Sequence, residues 1–550
     1  MLLIECINIK KYFGDRLILA VENLKIYSED RIGIVGVNGV GKTTLLNILS
    51  QKLQPDEGWI KLYADYAYIS QLEPPENKSI SYEMASKFGV ASTWNEKMSG
   101  GEKNRFKLAQ SLSKDHLLIF ADEPTSNVDI EGIEMMENML EEYKGALMLI
   151  SHDRSFLDKL CNKILEIENG KIKIYKGNFS DYYVQKIKER ERAQFEYDEY
   201  KREKRRLEEA INDKKQQTKR MKKTPKRMGN SEARLHKMGN QKAKANLERT
   251  AKSIETRIKH LEVKEKLVEQ ACIRLDLEES NKLYSKIVIE GQNMHKAFDE
   301  KIIFNNAEFS IYNGSKIALI GPNGCGKSTF VKMIMNEDSS IRIAQGAKIG
   351  YFSQDLSILD ENLTIIENIM KNSIYPEPFV RTLLARLLFK REEIYKKVRV
   401  LSGGERVKAS FANILLQEIN LLILDEPTNY MDIDSLEVVE EALREYDRTL
   451  LFISHDRRFI NAVADHIMTI ENQKINMFRG NYDEFLMSIC KRQEHSIEEI
   501  KKQLYVLENR LSEVVSRLSM PTKKDDVAAL DKQYYEILDK RNRLKERLER

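Results

Sequence analysis

The sequence predicts an α/β protein: two copies of one mixed domain, joined by a long α-helical hairpin and followed by a smaller helical hairpin. Three observations carry that prediction. Four strings recur in the same order along the 550 residues. In each copy an apolar, strand-like run leads straight into a glycine-rich loop, and a helix-like run follows. The segments between and after the copies are long, charged and almost free of Pro and Gly.

The repeat comes first because it sets the architecture. GVNGVGKTT at 36–44 recurs as GPNGCGKST at 321–329, and MSGGEK at 98–103 as LSGGER at 401–406. LLIFADEPTSNVD at 117–129 returns as LLILDEPTNYMD at 421–432, and LISHDR at 149–154 as FISHDR at 452–457. A unit of that size is a whole domain, not a solenoid repeat. The expected division is a first domain over 1–185, a helical linker over 186–284, a second domain over 285–488 and a C-terminal hairpin over 489–550. Each domain opens on strand-like alternation (LLIECINI, KIVIEGQNM) and reaches its loop after RIGIVG or KIALIG.

The linker reads as two long helices joined by a loop near 222–240, with a tip at about 215–240. A helix of about 35 residues spans ~50 Å at 1.5 Å per residue. In the C-terminal segment, Ile497, Ile500, Leu504, Leu507, Leu511, Val514 and Leu518 hold one heptad. Val527, Leu530, Tyr534, Ile537, Leu544 and Leu548 hold another after a break at Met520-Pro521, the pattern of an antiparallel coiled-coil hairpin.

Charge is unevenly spread. Residues 201–260 hold 21 Lys/Arg against 7 Asp/Glu, so the rest of a chain with net charge +4 carries about −10. A charge run usually marks a solvated helix face. Here the basic residues meet apolar ones at the bend, which suits a polyanion such as RNA. The candidates are Lys219, Arg220, Lys222, Lys223, Lys226 and Arg227, with Met221, Met228 and Leu235 as groups that wedge against bases. Five scattered cysteines without paired spacing argue for reduced thiols and a cytoplasmic setting, not a disulfide framework or a zinc site. No run of about 18 apolar residues is present, which excludes a membrane-spanning helix.

The repeated strings carry phosphate chemistry. Gly36, Gly39 and Gly41, and again Gly321, Gly324 and Gly326, let backbone N–H groups turn toward phosphates without side-chain obstruction. Lys42 and Lys327 place a point charge there, and Thr43 and Ser328 offer a hydroxyl to Mg2+. Asn38, Thr44, Asn323 and Thr329 complete the two loops. Asp122 and Asp425 end buried-strand patterns, where an ion can be held; Glu123 and Glu426 follow as candidate bases that polarise a water. Gln71 and Gln354 follow further strand-like runs and can touch both metal and water. His152 and His455 can donate to a γ-phosphate. A lone histidine is more often a satisfied core residue, but the repeated context favours the site.

In this order and twice over, phosphate loop, Q-loop glutamine, SGGE signature, acidic strand end with Glu, D-loop and H-loop histidine resemble ATP-binding-cassette ATPases over nearly all of 1–185 and 285–485. The resemblance implies ATP and Mg2+ as ligands and an intramolecular head-to-tail sandwich in a monomer. Ser402, Gly403 and Gly404 would cap nucleotide on the first phosphate loop, and Ser99, Gly100 and Gly101 nucleotide on the second. Phe13 and Phe298 match the family's adenine-stacking aromatic. The D-loops Ser126-Asn127-Val128-Asp129 and Asn429-Tyr430-Met431-Asp432 depart from the usual Asn-His-Leu-Asp.

Two cassettes, a charged helical linker and no membrane segment resemble the ABC-F subfamily, and PKRMGNSEARLHKMGNQKAK at 225–244 looks like the linker of its antibiotic-resistance branch. That resemblance implies a ribosome protection protein of the bacterial 70S ribosome. It would enter the E site, reach the P-site tRNA and 23S rRNA of the peptidyl-transferase centre, and dislodge lincosamide, streptogramin A or pleuromutilin drugs. The alternatives are a housekeeping ABC-F translation or ribosome-assembly factor and, with less support, the ATPase of a multidrug exporter.

Overall fold

A computed structural model describes residues 1–70, 73–75, 77–220, 230–261, 283–298, 301–353, 358–390, 392–429, 431–519 and 527–549. In the first cassette five parallel strands run in the order Tyr66–Ile69, Leu118–Asp122, Ala146–Ile150, Arg31–Val35, Lys163–Glu168, and Lys171–Lys176 adds on antiparallel. Leu118–Asp122 and Ala146–Ile150 are buried at every residue, which is why they read as unbroken apolar runs: helices cover both faces of a parallel sheet. The long hairpin Leu2–Phe13 with Arg16–Tyr27 forms an antiparallel wing that joins this sheet.

The second cassette repeats the order with Ile349–Phe352, Leu421–Asp425, Thr449–Ile453, Lys316–Ile320, His466–Glu471 and the antiparallel Lys474–Arg479. Its wing, Ile287–Phe298 with Lys301–Tyr312, forms a sheet of its own with Ile341–Ile343. Both phosphate loops thus leave central strands at their carboxyl ends, where an open α/β sheet gathers its ligands.

The linker is rooted deeper than a flexible tether. Its first helix runs Phe179–Arg220, about 63 Å at 1.5 Å per residue. Phe179 and Tyr182 are packed in the core of the first cassette. The second helix is Asn230–His260. Leu207, Ile211 and Ala251 are buried, and Arg257–Glu203 (3.1 Å) and Lys215–Glu255 (3.0 Å) link the two helices. One expectation needs correction: 230–240 continues as helix and is not part of a loop. Asn230-Ser231-Glu232 is a good helix start, and a lone Gly239 costs only ~1 kcal/mol, which a long helix absorbs. Of the expected tip, residues 221–229 lie outside the described residues, as do the side chains of Arg220 and Leu235.

The C-terminal hairpin pairs Tyr482–Ser519 with Val527–Glu549, and Leu504, Val514 and Leu530 are buried. Its first helix also starts inside a cassette, since Tyr482 belongs to the second domain's core. Among the described residues no helix is long and apolar enough to cross a membrane.

Candidate functional site

Each phosphate loop is shaped by glycines in the left-handed region. Gly36, Gly39 and Gly41 have φ of 148°, 76° and 107°; Gly321, Gly324 and Gly326 have 152°, 76° and 113°. A Cβ on Gly41 would sit 2.8 Å from Ile18, and one on Gly326 would sit 2.4 Å from Ile303, so conformation and space both demand glycine. Helices Lys42–Leu49 and Lys327–Met335 start there, aiming free N–H groups into the loops. Thr43 and Thr44, and Ser328 and Thr329, form the first turns of those helices.

Lys42 Nζ donates to the Gly36 carbonyl at 2.7 Å and to Val37 at 3.3 Å; Lys327 Nζ makes the matching bonds to Gly321 (2.7 Å) and Pro322 (3.2 Å). Burial disfavours the Lys42 ammonium and lowers its pKa, although Glu123, Asp432 and Asp122 favour the charge. A phosphate in the loop would offset that cost. The donor set therefore fits a polyphosphate. For Mg2+, the Thr43 hydroxyl is hydrogen-bonded to Asp122, whose carboxyl burial pushes up. One hydroxyl and one strand-end carboxylate are hard oxygen donors, the kind Mg2+ takes together with phosphate and water. Gln71 and Gln354 lie outside the described residues.

The two candidate bases share an unusual backbone. Glu123 and Glu426 have φ of 48° and 53°. Left-handed glutamates cost energy and cluster where geometry is functional. His152 Nε2 lies 3.2 Å from Glu123 Oε1, and His455 Nε2 lies 3.2 Å from Glu426 Oε1. Their charge environments differ. Burial works against the charged form of Glu123, but the His152 hydrogen bond, the charges of His152 and Lys42 and a bond from Ser126 outweigh it, so its carboxyl sits below the usual range. Glu426 is pushed up to about 7 by burial, against Lys327 and helped by Asp425. His455 is lowered to about 4, by burial first and then by Lys327.

The signature segments cap helices. Ser99 forms a capping box with Glu102 on Gly100–Leu112, and Ser402 does the same with Glu405 on Gly403–Leu415. A Cβ on Gly101 would lie 3.3 Å from Asn323 Nδ2, which places the first signature against the second phosphate loop. Phe13 and Phe298, 55% and 53% exposed, end the wing strands with rings open for stacking.

The two D-loops meet the opposite phosphate loops and hold the cassettes face to face. Asp129 Oδ2 accepts from the Asn323 backbone N–H at 2.8 Å, and the Asn127 carbonyl accepts from Asn323 Nδ2 at 3.0 Å. Asp432 receives Asn38 N–H at 3.5 Å and Lys408 Nζ at 2.8 Å. Two ion pairs that the sequence reasoning did not single out also cross the interface as mirror partners, Arg154 with Glu440, which is buried, and Arg457 with Glu137, which is part-buried, each through two nitrogens. Both arginines come from the repeated Ser-His-Asp-Arg string, and both glutamates sit 303 positions apart, a signal the repeat contains.

Removing one member leaves a buried charge alone. Arg154→Ala is expected to cost roughly 3–5 kcal/mol of cassette apposition, because Arg154 and Glu440 are only 6% and 8% exposed. Arg154→Met with Glu440→Leu should recover only part of it, because the buried Asp456, 3.7 Å from Arg154, also loses its cation. ATP turnover and thermal unfolding of the three proteins check this, and equal stability of Arg154→Ala and parent would contradict it.

Comparisons agree with this architecture. A family model described as ABC transporter matches residues 19–86 and 304–429, and a second with the same description matches 165–244. The chain is 31% identical over 533 residues to the ribosome protection protein VmlR of Bacillus subtilis, covering 94% of each chain. It is 32% identical over 467 residues to the erythromycin resistance ATP-binding protein MsrA of Staphylococcus epidermidis, covering 83% of this chain and 95% of that one. An archaeal ribosome recycling factor, aABCE1, solved with the stalk protein aP1, superposes with a TM-score of 0.59 at 20% identity. The match covers 88% of this chain and 92% of that one, a likeness of fold.

Proposed function

The chain belongs to the ABC-F subfamily of ATP-binding-cassette ATPases, and we propose on that premise that it is an ATP-dependent ribosome protection protein. It binds and hydrolyses ATP between the two cassettes. In the closed form the cationic linker enters the ribosomal E site, and its tip reaches toward the P-site tRNA and the peptidyl-transferase centre. There it moves tRNA or rRNA and so dislodges lincosamide, streptogramin A or pleuromutilin drugs. The relatives named for ribosome protection and erythromycin resistance support the ribosome as partner and drug resistance as outcome.

One observation carries the coupling. The linker helix grows from the first cassette, yet the second cassette holds its root: Arg458 donates to Ser180 (3.0 Å) and lies over the Phe179 ring (5.5 Å). Tyr183 is hydrogen-bonded to Glu437, and Arg190 pairs with Asp434 at 3.2 Å. The last pair is more than a third exposed and contributes only ~0.2–1 kcal/mol, so its weight is geometric. Whatever brings the cassettes together therefore sets the pose of the lever.

Each side chain has a distinct task. The loop N–H groups, with Lys42 or Lys327, hold the β- and γ-phosphates. Thr43 with Asp122, Ser328 with Asp425, and Gln71 and Gln354 would hold Mg2+, which neutralises developing phosphate charge when bound. Glu123 and Glu426 orient the attacking water, and His152 and His455 donate toward the γ-phosphate. The opposite signature, Ser402–Gly404 or Ser99–Gly101, closes each site, and Phe13 or Phe298 stacks on adenine.

Cell-free bacterial translation stalled by a lincosamide tests the reading. The protein with ATP should restore synthesis and lower drug occupancy on ribosomes. A protein that binds ribosomes but leaves inhibition by all three drug classes unchanged would instead fit a housekeeping factor.

A further inference from the structure

The two halves agree at nearly every position around the phosphates, so a difference between matched positions is informative. Ser126 Oγ donates to Glu123 Oε2 at 3.2 Å, while His152 Nε2 holds the other oxygen, Oε1, also at 3.2 Å. The carboxylate is therefore gripped on both oxygens. In the second cassette the matched position is Asn429, and among the described residues its side chain makes no such bond; Glu426 has His455 Nε2 3.2 Å from Oε1 and accepts from the His455 backbone N–H instead.

A second difference lies beneath the first. The Ser126 carbonyl accepts from the buried Asn104 Nδ2 at 2.8 Å, which ties the serine to its own signature helix. The residue matched to Asn104 is Val407, which has nothing to donate. On its far side the same loop is tied to the second phosphate loop through Asn127 and Asp129. The serine thus sits on backbone fixed from two directions.

We propose that Ser126 is a positioning residue for Glu123 at the site on the first phosphate loop. A base acts only when its lone pair points at the attacking water, and a carboxylate held at one oxygen can swing about its terminal bond. Ser126 removes that freedom by holding the second oxygen. The expected gain is a fraction of the ~10²–10⁴-fold that a well-placed base supplies. This inference rests on the reading of Glu123 and Glu426 as bases.

Single-site backgrounds test it. Glu426→Gln leaves the Glu123 site active, and Glu123→Gln leaves the other. Adding Ser126→Ala to Glu426→Gln should lower kcat about five- to tenfold at unchanged KM, as expected for lost alignment and not lost binding. Ser126→Thr should keep the rate. An indifferent Ser126→Ala, or a KM that moves in step with kcat, would overturn the proposal. A Glu123→Gln, Glu426→Gln protein that still hydrolyses ATP at the parent rate removes the base reading and this inference together. A dead double variant with an indifferent Ser126→Ala removes this inference alone.

Discussion

Replacing Glu123 and Glu426 together by Gln is expected to lower ATP turnover by ~10²–10³-fold and to hold the protein on ribosomes for as long as ATP is present. Glutamine keeps the size of the side chain and its contact with His152 or His455 but cannot take a proton from water. Nucleotide binding, which depends on the loops around Lys42 and Lys327, is left intact. ATP shifts the protein only by its preference for the closed state, so a closed state that cannot hydrolyse has no exit. Turnover of released phosphate and sedimentation with ribosomes read the two effects separately. A double variant that leaves ribosomes in ATP as fast as the parent would contradict the scheme.

The second large effect belongs to the linker. Changing Lys219, Arg220, Lys222, Lys223, Lys226 and Arg227 to Gln should cut ribosome affinity by ~10³-fold or more near 0.1 M salt and flatten its salt dependence. Each lost phosphate contact removes one released counterion, so the slope of log affinity against log salt should fall by about 4 to 5 for six contacts at the single-strand value of ~0.7 each. ATP hydrolysis without ribosomes should be unaffected, since Lys219 and Arg220 end a helix of about 63 Å that starts at Phe179, and the other four follow them in sequence. An unchanged salt slope would move the RNA contact elsewhere.

Much of the fold can be read from sequence because parallel strands buried on both faces carry no polar alternation. Leu118–Asp122 and Leu421–Asp425 are apolar until the carboxylate that ends them, and the glycine loops follow strands as their backbone requires. Repetition does the rest: one Lys-Thr or Ser-His pair means little, but two in register fix a domain. What the sequence hides is contact between the halves. Arg154 and Glu440 are 286 positions apart, and nothing local to either one announces a buried partner. The left-handed φ of Glu123 and Glu426 is equally invisible, because glutamate has no preference for it. Helix ends also mislead. The linker helix starts at Phe179 and the C-terminal one at Tyr482, inside packed cores, while charge density rises only several residues later.

Those hidden contacts matter more to function than the legible ones. The phosphate loops explain why the protein binds ATP; the grip of Arg458 and Arg190 on the linker root explains why binding would be felt tens of ångströms away. That lever, posed by apposed cassettes and inserted into ribosomal RNA, is the central claim. The most direct measurement is to image Glu123→Gln, Glu426→Gln protein on bacterial ribosomes with ATP and locate residues 222–240. The account predicts closed cassettes in the E site with that segment beside the P-site tRNA acceptor end. Closed cassettes with the segment in solvent, or density on any other ribosomal surface, would contradict it.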